Sequence, residues 1–332
     1  MPSNETTPKG ELIKEYLERF QLTPSLTIAK KIFEEHSLMF TNVETVRSLV
    51  RFYRGKQGEK KKASLGDKRF VDTGQRMELP PSKCKPYENF IMPTANNKIL
   101  ALFDIHLPFQ DNGALKIALE YGAEHNANTV LLGGDICDFY ELSWFNKEPR
   151  IATFREEREL FWWLLEVIDS YMPNAKVYWQ IGNHERRFEN YLMSKAPEIY
   201  DTEEFQLDVL FKCAEYGVEY IADKRVIDVG KLRVLHGDEY GNAINTPVNA
   251  ARNLFLKAKA CAMQGHFHAT SEHTETDIDG KVITCWSSGC LCGLHPKYRP
   301  LNKWNSGFAF IEWIPDGNFT IHNRRIVKGK IV

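Results

Sequence analysis

Five short apolar runs dominate the chain after residue 97, and each ends in a polar cluster. The runs are KILALFDIH, TVLLGGDICD, KVYWQIGNHE, KLRVLHGD and ACAMQGHFH. Helical patterns such as NGALKIALEYGAEHN and FREERELFWWLLEVIDSY separate the first three runs, which is typical of an α/β domain whose sheet is covered by helices. Strand-like stretches such as SGFAFIEWI and NFTIHNRRIV follow residue 275 and predict a second sheet.

The polar clusters at the strand ends consist of residue types that bind metal ions. They are Asp104 with His106, Asp135 with Asp138, Asn183 with His184, His236 with Asp238, and His266 with His268. Ligands of open α/β sheets gather at the carboxyl ends of the strands, so we expect the five clusters to meet in one crevice. One cluster alone would fit a turn or a hydrogen-bonded side chain, but five successive strand ends indicate a shared site.

Glycines accompany four of these strand ends and fit such a crevice. They are Gly133, Gly134, Gly182, Gly237 and Gly265. Because glycine has no Cβ, these residues would let the backbone turn sharply after each strand and leave room for close approach.

The residue types suit a pair of divalent metal ions. Two ions about 3.5–4 Å apart can lower the pKa of a shared water and clamp both the attacking and the leaving oxygen of a displacement at phosphorus. Carboxylates, imidazoles and one amide suit Mn²⁺, Fe or Zn²⁺, and no cysteine belongs to this set. A histidine that is not a ligand can protonate the leaving group while a carboxylate fixes its tautomer.

The order DxH, GDxxD, GNHE, a later His and GHxH, over about residues 98–327, resembles the calcineurin-like metallophosphoesterase superfamily. The resemblance implies two β-sheets packed face to face and flanked by helices, with two metal ions at the sheet ends. It also implies a role for each motif residue. One ion would be held by Asp104, His106 and His268, and the other by Asn183, His236 and His266. Asp135 would bridge the two ions. His184 would be the acid, and Asp138 would orient it.

One position departs from the phosphoprotein phosphatases of this superfamily. They carry an arginine directly after the second aspartate of GDxxD, where this sequence has Phe139. Arg186 and Arg187 are candidates to grip a substrate phosphate instead, although arginines that open a helix are also found solvated or paired with a residue such as Glu189. Trp304 is a candidate for the pocket wall, and a place in the core is the alternative for this aromatic residue.

The first 56 residues predict a small helical domain, and a polar, proline-containing linker follows over residues 57–97. Helical patterns cover about residues 10–20, 25–36 and 42–54. The third begins with a Thr41–Glu44 capping box and ends before Gly55. Residues 1–70 carry 14 Lys and Arg against 9 Asp and Glu, so this end of the chain is basic.

The third helix carries a basic stripe about 90° from its apolar face, formed by Arg47, Arg51 and Arg54. Three helices with a basic third one resemble a helix-turn-helix unit, in which such residues contact DNA or RNA. A solvated helix face is the alternative interpretation. The candidate nucleic-acid contacts are Arg47, Arg51, Arg54, Lys60, Lys61 and Lys62.

Composition indicates a cytoplasmic protein without a membrane partner. The chain has no apolar run of the roughly 18 residues that a membrane span needs, and its first residues lack the apolar region of a signal peptide. Seven cysteines form an odd set without a repeated CxxC, which suits reduced thiols. Cys290 and Cys292 are expected to be buried on one face of a strand.

We therefore expect a metal-dependent phosphoester hydrolase with a small N-terminal helical domain and a catalytic domain over residues 98–332. The preferred substrate is a phosphodiester in nucleic acid or nucleotides, because the basic helices offer phosphate contacts. A phosphomonoesterase that acts on proteins or small molecules is one alternative. A DNA-binding protein that keeps the fold only as a scaffold is another.

Overall fold

The computed structural model describes residues 7–57, 79–146, 148, 151–241 and 248–332. The chain divides into two units between Lys85 and Pro86. Three of the predicted nucleic-acid contacts, Lys60, Lys61 and Lys62, lie outside the described residues.

Within residues 7–57, which the structure describes, the first unit contains three helices that enclose a small apolar core. The helices are α1 Pro8–Arg19, α2 Ser25–Glu35 and α3 Val43–Tyr53, with a 3₁₀ turn at Ser37–Met39. The core includes Ile13, Leu17, Ile28, Ile32, Val46 and Val50. These helices match the three that the sequence predicts.

The predicted cap of α3 is wrong by one residue. Asn42, not Thr41, is the N-cap, and its Oδ1 accepts a 2.9 Å hydrogen bond from the backbone N–H of Thr45. Glu44 pairs with Arg47 at 2.9 Å instead of reaching back to the cap. An asparagine caps as well as a threonine, so the sequence pattern did not distinguish the two residues.

The second unit is built on a seven-stranded mixed sheet in the order β13-β12-β11-β2-β3-β4-β5. Strands β2 to β5 are parallel, and β11, β12 and β13 add antiparallel pairs. Its strands are β2 Lys98–Leu102, β3 Thr129–Gly133, β4 Lys176–Gln180, β5 Glu219–Ile221, β11 Ser306–Trp313, β12 Phe319–Val327 and β13 Lys330–Ile331.

A six-stranded sheet in the order β1-β6-β7-β8-β10-β9 forms the next layer. Its strands are β1 Phe90–Ile91, β6 Ile227–Val229, β7 Leu232–Leu235, β8 Ala262–Gln264, β9 Ser271–Thr276 and β10 Val282–Ser287. Strand β1 pairs in parallel with β6, so part of the segment that the sequence analysis assigned to the linker contributes to this sheet.

Helices cover both sheets. They are α4 Asn112–Glu124, α5 Phe154–Tyr171, α6 Arg186–Lys195, α7 Leu207–Leu210 and α8 Ala250–Ala258. Side chains cap the first turn of three of them: Asp111 caps α4, Thr153 caps α5 and Asn249 caps α8, each by accepting from backbone N–H groups. None of the described helices is long and apolar enough to cross a membrane.

Strand β2 shows why the apolar runs are continuous. Ile99 and Ala101 pack into the layer between the two sheets, whereas Leu100 and Leu102 pack against the helix-covered face. Both faces of the strand are therefore buried, which removes the alternation of a half-exposed strand. Helix α8 covers the outer face of the six-stranded sheet. The α/β architecture of two packed sheets flanked by helices, predicted from the sequence, is confirmed.

The topology brings the motif-bearing strand ends to one edge. Strands β2, β3 and β4 are mutually parallel, as are β7 and β8 in the other sheet. The polar clusters begin within three residues after the ends of these five strands. Their carboxyl ends therefore supply the residues of the site.

Candidate metal centre and active site

A cleft of about 380 Å³ lies at the carboxyl ends of these strands. Its lining includes His106, Asp135, Asn183, His184, His266 and His268. Asp104 and His236, both 0% exposed, lie beneath this surface. The structure thus brings all seven candidate metal ligands together, although they come from five separate segments of the chain.

The first group of candidate ligands surrounds His268. Its Nε2 lies 3.3 Å from Asp104 Oδ1 and 3.2 Å from His106 Nε2. His106 Nε2 is also 3.9 Å from Asp135 Oδ2. These are the three residues that the family resemblance assigns to one ion, and the carboxylate that it assigns as the bridge lies beside them.

The second group surrounds His236. Its Nε2 lies 3.3 Å from Asp135 Oδ2 and 3.2 Å from Asn183 Oδ1. His266 also belongs here, because a ring nitrogen of His266 lies within 4.8 Å of the facing atoms of Asp135 and His236. Asp135 is common to both groups.

The two carboxylates are arranged in the same way. Asp104 Oδ2 accepts a 2.8 Å bond from the backbone N–H of His266, and Asp135 Oδ1 accepts one of the same length from that of His184. Each carboxylate keeps its other oxygen toward the histidines. Asp104 Oδ1 is buried without a hydrogen bond from any residue that the structure describes, and the same is true of His266 Nδ1. Buried acceptors without donors fit a site for cations.

The carboxyl groups are held in their ionised form. Burial opposes the charge of Asp104 and Asp135, but His268 and His236 outweigh it and lower the pKa of both. Burial also opposes ionisation of Asp138, whose pKa is nevertheless lowered by neighbouring histidines. The site therefore presents carboxylates, the form that binds metal ions.

The histidines fall into two pairs. Burial lowers the pKa of His106 and His266, and that of His266 falls to about 4. Burial also acts to lower the pKa of His236 and of His268, but the adjacent carboxylates outweigh it. They raise the pKa of both histidines, and that of His268 reaches about 10. Because imidazole binds a metal in its neutral form, a bound cation would displace the protons of the second pair.

Five of the candidate ligands have left-handed backbone conformations. Their φ angles are 54° for Asp104, 51° for His106, 51° for Asp135, 64° for His266 and 54° for His268. Such conformations are unfavourable for residues with a Cβ and concentrate at functional sites. The sequence pattern predicts sharp turns at the glycines alone and gives no sign of this strain.

Glycines beside the candidate ligands permit close approach, as two positions show. A Cβ on Gly182 would lie 2.2 Å from Asp135 Oδ1, and one on Gly134, where φ is 94°, would lie 2.5 Å from His236 Nδ1. Side chains at these positions would displace the candidate ligands.

A model of the family "Calcineurin-like phosphoesterase" matches residues 97–278, which is more than half of the chain. The chain belongs to this family. It is therefore a metallophosphoesterase, a metal-dependent hydrolase of phosphoric esters. The family depends on two metal ions, and the carboxylate and histidine groups described above could bind them.

Comparison with individual proteins gives distant similarities. Gene 54 protein of Mycobacterium phage L5 is 25% identical over 232 residues, which are 65% of this chain and 89% of that protein. Vacuolar Protein Sorting 29 from Cryptosporidium parvum is 16% identical, with a TM-score of 0.38 over 71% of this chain and 94% of that one. A dimetal phosphatase from Danio rerio is 10% identical, with a TM-score of 0.33 over 69% and 96% of the two chains.

Glu185 of the phosphoesterase is a positioning residue that the sequence analysis did not assign. It is 0% exposed, and its carboxylate accepts backbone N–H bonds from Asp135 at 2.9 Å, Ile136 at 2.8 Å and Gly182 at 2.8 Å. These bonds tie the loop after β3 to the loop after β4. The only sequence signal was its place in GNHE.

Two more glutamates hold loops of the site in the same way. Glu157 on α5 accepts from the backbone N–H groups of Phe139 at 2.5 Å and Tyr140 at 2.8 Å. Glu239 accepts from those of His236 at 2.8 Å and Gly237 at 2.7 Å. The loops that carry the candidate ligands are thus fixed by carboxylates behind them.

The structure places His184 and Asp138 side by side. His184 Nδ1 lies 2.9 Å from the Asp138 carbonyl oxygen and 3.1 Å from its Oδ1. The same Oδ1 is 3.0 Å from His106 Nδ1, so Asp138 lies between two imidazoles. Burial opposes protonation of His184, but Asp135 and Asp138 raise its pKa.

The two arginines proposed as phosphate contacts differ in their surroundings. Arg187 donates to the Asp138 carbonyl at 2.7 Å and lies 3.0 Å from His184 Nε2, so its guanidinium is already engaged. Arg186 lies 4.0 Å from Glu189. Phe139 is buried and packs against Phe154 at 5.8 Å between ring centroids.

Cys292 lies beside the candidate metal centre, although the sequence predicts a ligand set without cysteine. Its Sγ is 3.9 Å from His268 Nδ1, and it forms a candidate ligand group with His106 and His268. Cys290 and Cys292 are both buried, as predicted, but they belong to isolated bridges instead of a continuous strand.

The basic residues of α3 and its C-cap have different environments. Arg47 pairs with Glu44, whereas Arg54 donates to the carbonyl oxygens of Gln21 at 2.8 Å and Phe20 at 3.4 Å inside the bundle. Arg51 is exposed. The stripe is therefore not a uniform surface of available cations.

Proposed function

We propose that this phosphoesterase cleaves phosphodiesters of nucleic acids or nucleotides with two divalent ions, which we expect to be Mn²⁺, Fe or Zn²⁺. The shared carboxylate supports this proposal most directly, because Asp135 Oδ2 lies within 4 Å of both His106 Nε2 and His236 Nε2. One ion would be held by Asp104, His106 and His268, and the other by Asn183, His236 and His266. Asp135 would bind both ions.

The protein residues around the ions have separate tasks. Bound metal ions would activate the attacking water and neutralise charge on the phosphate. Asp138 accepts from His184 Nδ1 and so fixes the ring, while His184 Nε2 lies 3.8 Å from Asp135 Oδ2, next to the proposed phosphate position. From there His184 would protonate the leaving oxygen.

Two positions beside His184, in the part of the chain that the structure describes, favour a diester. Phe139 offers no charge at the position where the phosphoprotein phosphatases have an arginine, and Arg187 already donates to the Asp138 carbonyl oxygen at 2.7 Å. A diester carries one negative charge at its phosphate, whereas a monoester carries up to two and needs stronger compensation. Arg186 remains a candidate for direct phosphate contact, and Arg187 would contribute through His184.

The N-terminal unit would add nucleic-acid contacts. Arg51 is exposed on α3, and Arg47 faces an exposed glutamate that a phosphate could replace. With Lys60, Lys61 and Lys62 they would form the contacts of a helix-turn-helix-like unit. Arg54 would orient this surface from inside the bundle. If the stripe is only a solvated helix face, the N-terminal unit should not bind nucleic acid even at low salt.

A substrate panel tests the proposal. The full-length protein is assayed with Mn²⁺ on p-nitrophenyl phosphate, methyl p-nitrophenyl phosphate, and single- and double-stranded DNA and RNA. We expect metal-dependent cleavage of the diester and of at least one nucleic acid, at higher kcat/KM than the monoester.

The other outcomes separate the alternatives. Cleavage of the monoester alone would contradict the proposal and support a phosphomonoesterase. Nucleic-acid binding without hydrolysis, by a protein that retains no metal in elemental analysis, would support a DNA-binding protein with a scaffold role for the fold.

A further inference from the structure

The segment over residues 298–305 lines the cleft with a combination of side chains that the metal chemistry does not use. It contributes Tyr298, Arg299, Lys303, Trp304 and Asn305 to the lining. Two aromatic and two basic side chains thus lie within seven consecutive residues of one wall.

The aromatic side chains lead from the candidate metal centre to the rim. The Trp304 ring packs on His268 with centroids 4.2 Å apart, and Tyr298 lies next to Trp304 with centroids 6.4 Å apart. Tyr298 is 79% exposed. A large apolar ring held at the mouth of a polar cleft is available to pack on a substrate.

Hydrogen bonds hold both ends of the segment in place. The backbone N–H of Asn305 donates to the His268 carbonyl at 2.8 Å, and Asn305 Oδ1 accepts from Thr270 Oγ1 at 2.7 Å. Asn302 Nδ2 donates to the carbonyl oxygens of Leu294 at 2.7 Å and Arg299 at 2.9 Å. The wall is therefore organised before a ligand binds, which lowers the entropic cost of binding.

The charge of the wall identifies the kind of ligand. Among the described lining residues outside the candidate ligands and His184, the charged side chains are Arg299 and Lys303, and both are positive. A cleft of this size also holds far more than one phosphate group. The substrate should therefore carry negative charge beyond the scissile phosphate.

We propose that residues 298–304 form a nucleotide subsite, in which Tyr298 and Trp304 stack on a base and Arg299 and Lys303 contact a phosphate next to the scissile one. Aromatic platforms in a basic groove are the usual way to bind single-stranded nucleic acid. This inference rests on the proposed phosphodiesterase function, which it extends by assigning the residues that select the substrate.

The test compares variants on ligands with and without bases. The ligands are phosphorothioate-linked oligothymidylates of about ten residues, which resist hydrolysis, and abasic oligomers of equal length and charge. Binding to the full-length protein is measured by fluorescence anisotropy. The variants are Tyr298→Ala and Lys303→Gln, with Tyr216→Ala and Lys195→Gln as controls outside the cleft.

We expect the wild-type protein to bind the base-containing oligomer at least about tenfold more tightly than the abasic one. Tyr298→Ala should remove most of this difference. Lys303→Gln should weaken binding of both oligomers and reduce the slope of log K against log salt by about 0.7. The control variants should resemble the wild type.

Three results would overturn the inference. They are equal wild-type affinity for both oligomers, an unchanged base preference in Tyr298→Ala, and equally effective competition by a phosphopeptide. Hydrolysis of methyl p-nitrophenyl phosphate is measured separately, so a failed subsite with an active enzyme is distinguishable from a failed phosphodiesterase function.

Discussion

The cleft of the catalytic unit and the basic stripe of the N-terminal unit use charged residues in different ways. Asp135 is buried and close to histidines from distant parts of the chain. In the stripe, Arg47 pairs with its neighbour Glu44 at 2.9 Å, and Arg51 is exposed. Buried charges require exact partners, whereas exposed helix pairs contribute about 0.3–0.5 kcal/mol.

This difference shows which sequence patterns carry information about function. The cleft residues come from five chain segments, and they meet only because parallel strands end at one edge. Residues at helical spacing share a face on any helix, whether or not that face has a function. Substitutions in the cleft should therefore have large effects, and those in the stripe small ones.

The largest effect is expected for Asp135→Ala. Both groups of candidate ligands would lose a carboxylate, so activity should fall to background and bound metal from about two ions per chain to about one or none. Elemental analysis and the diester assay measure the two losses, with Asp279→Ala on an exposed turn as the control. Two retained ions would contradict the bridging role.

His184→Asn should separate proton transfer from metal binding. Loss of a general acid lowers turnover by about 10²–10⁴ for an alkoxide leaving group and by much less for p-nitrophenolate, which leaves without a proton. The metal content should stay at the wild-type value. If both leaving groups were slowed equally, His184 would not be the acid.

Glu185→Gln should destabilise the catalytic unit by about 2–4 kcal/mol. The amide NH₂ cannot accept the backbone N–H bonds that one carboxylate oxygen now accepts, so a buried donor would face another donor. Urea unfolding followed by tryptophan fluorescence measures the change, with the exposed Glu166→Gln as the matched control. A change equal to that of the control would mean that Glu185 does not hold the two loops.

The smallest effects concern the stripe and distinguish two of its arginines. Arg54→Ala should lower the local stability of the bundle by about 1–2 kcal/mol, because Phe20 and Gln21 lose a charged donor. Arg51→Ala should change it by less than about 0.5 kcal/mol. Hydrogen exchange of the α1 to α3 amides in the full-length protein measures both. If both substitutions changed the stability equally, Arg54 would not have the structural role that separates it from Arg51.

The sequence by itself determined the elements and the place of the site. Apolar runs such as that of β2 and the helical patterns between them predicted the layers, because burial on both faces leaves a continuous apolar pattern. The motifs after the strands predicted the cluster that contains Asp104 and Asp135, because the topology of parallel strands gives their ends a common edge. The N-terminal helices were likewise predicted from the helical periodicity of their apolar residues.

Only the tertiary structure decided how each polar group is used. Glu185 reaches the N–H of Asp135, 50 residues earlier in the chain, and Arg54 reaches the carbonyl of Gln21, 33 residues earlier. Such bonds depend on the packing between layers and between helices, which no local pattern encodes. The left-handed backbone at His268 and its contact with Trp304 also arise from this packing. Periodicity therefore places residues on a face or at a strand end, while the fold selects their partners.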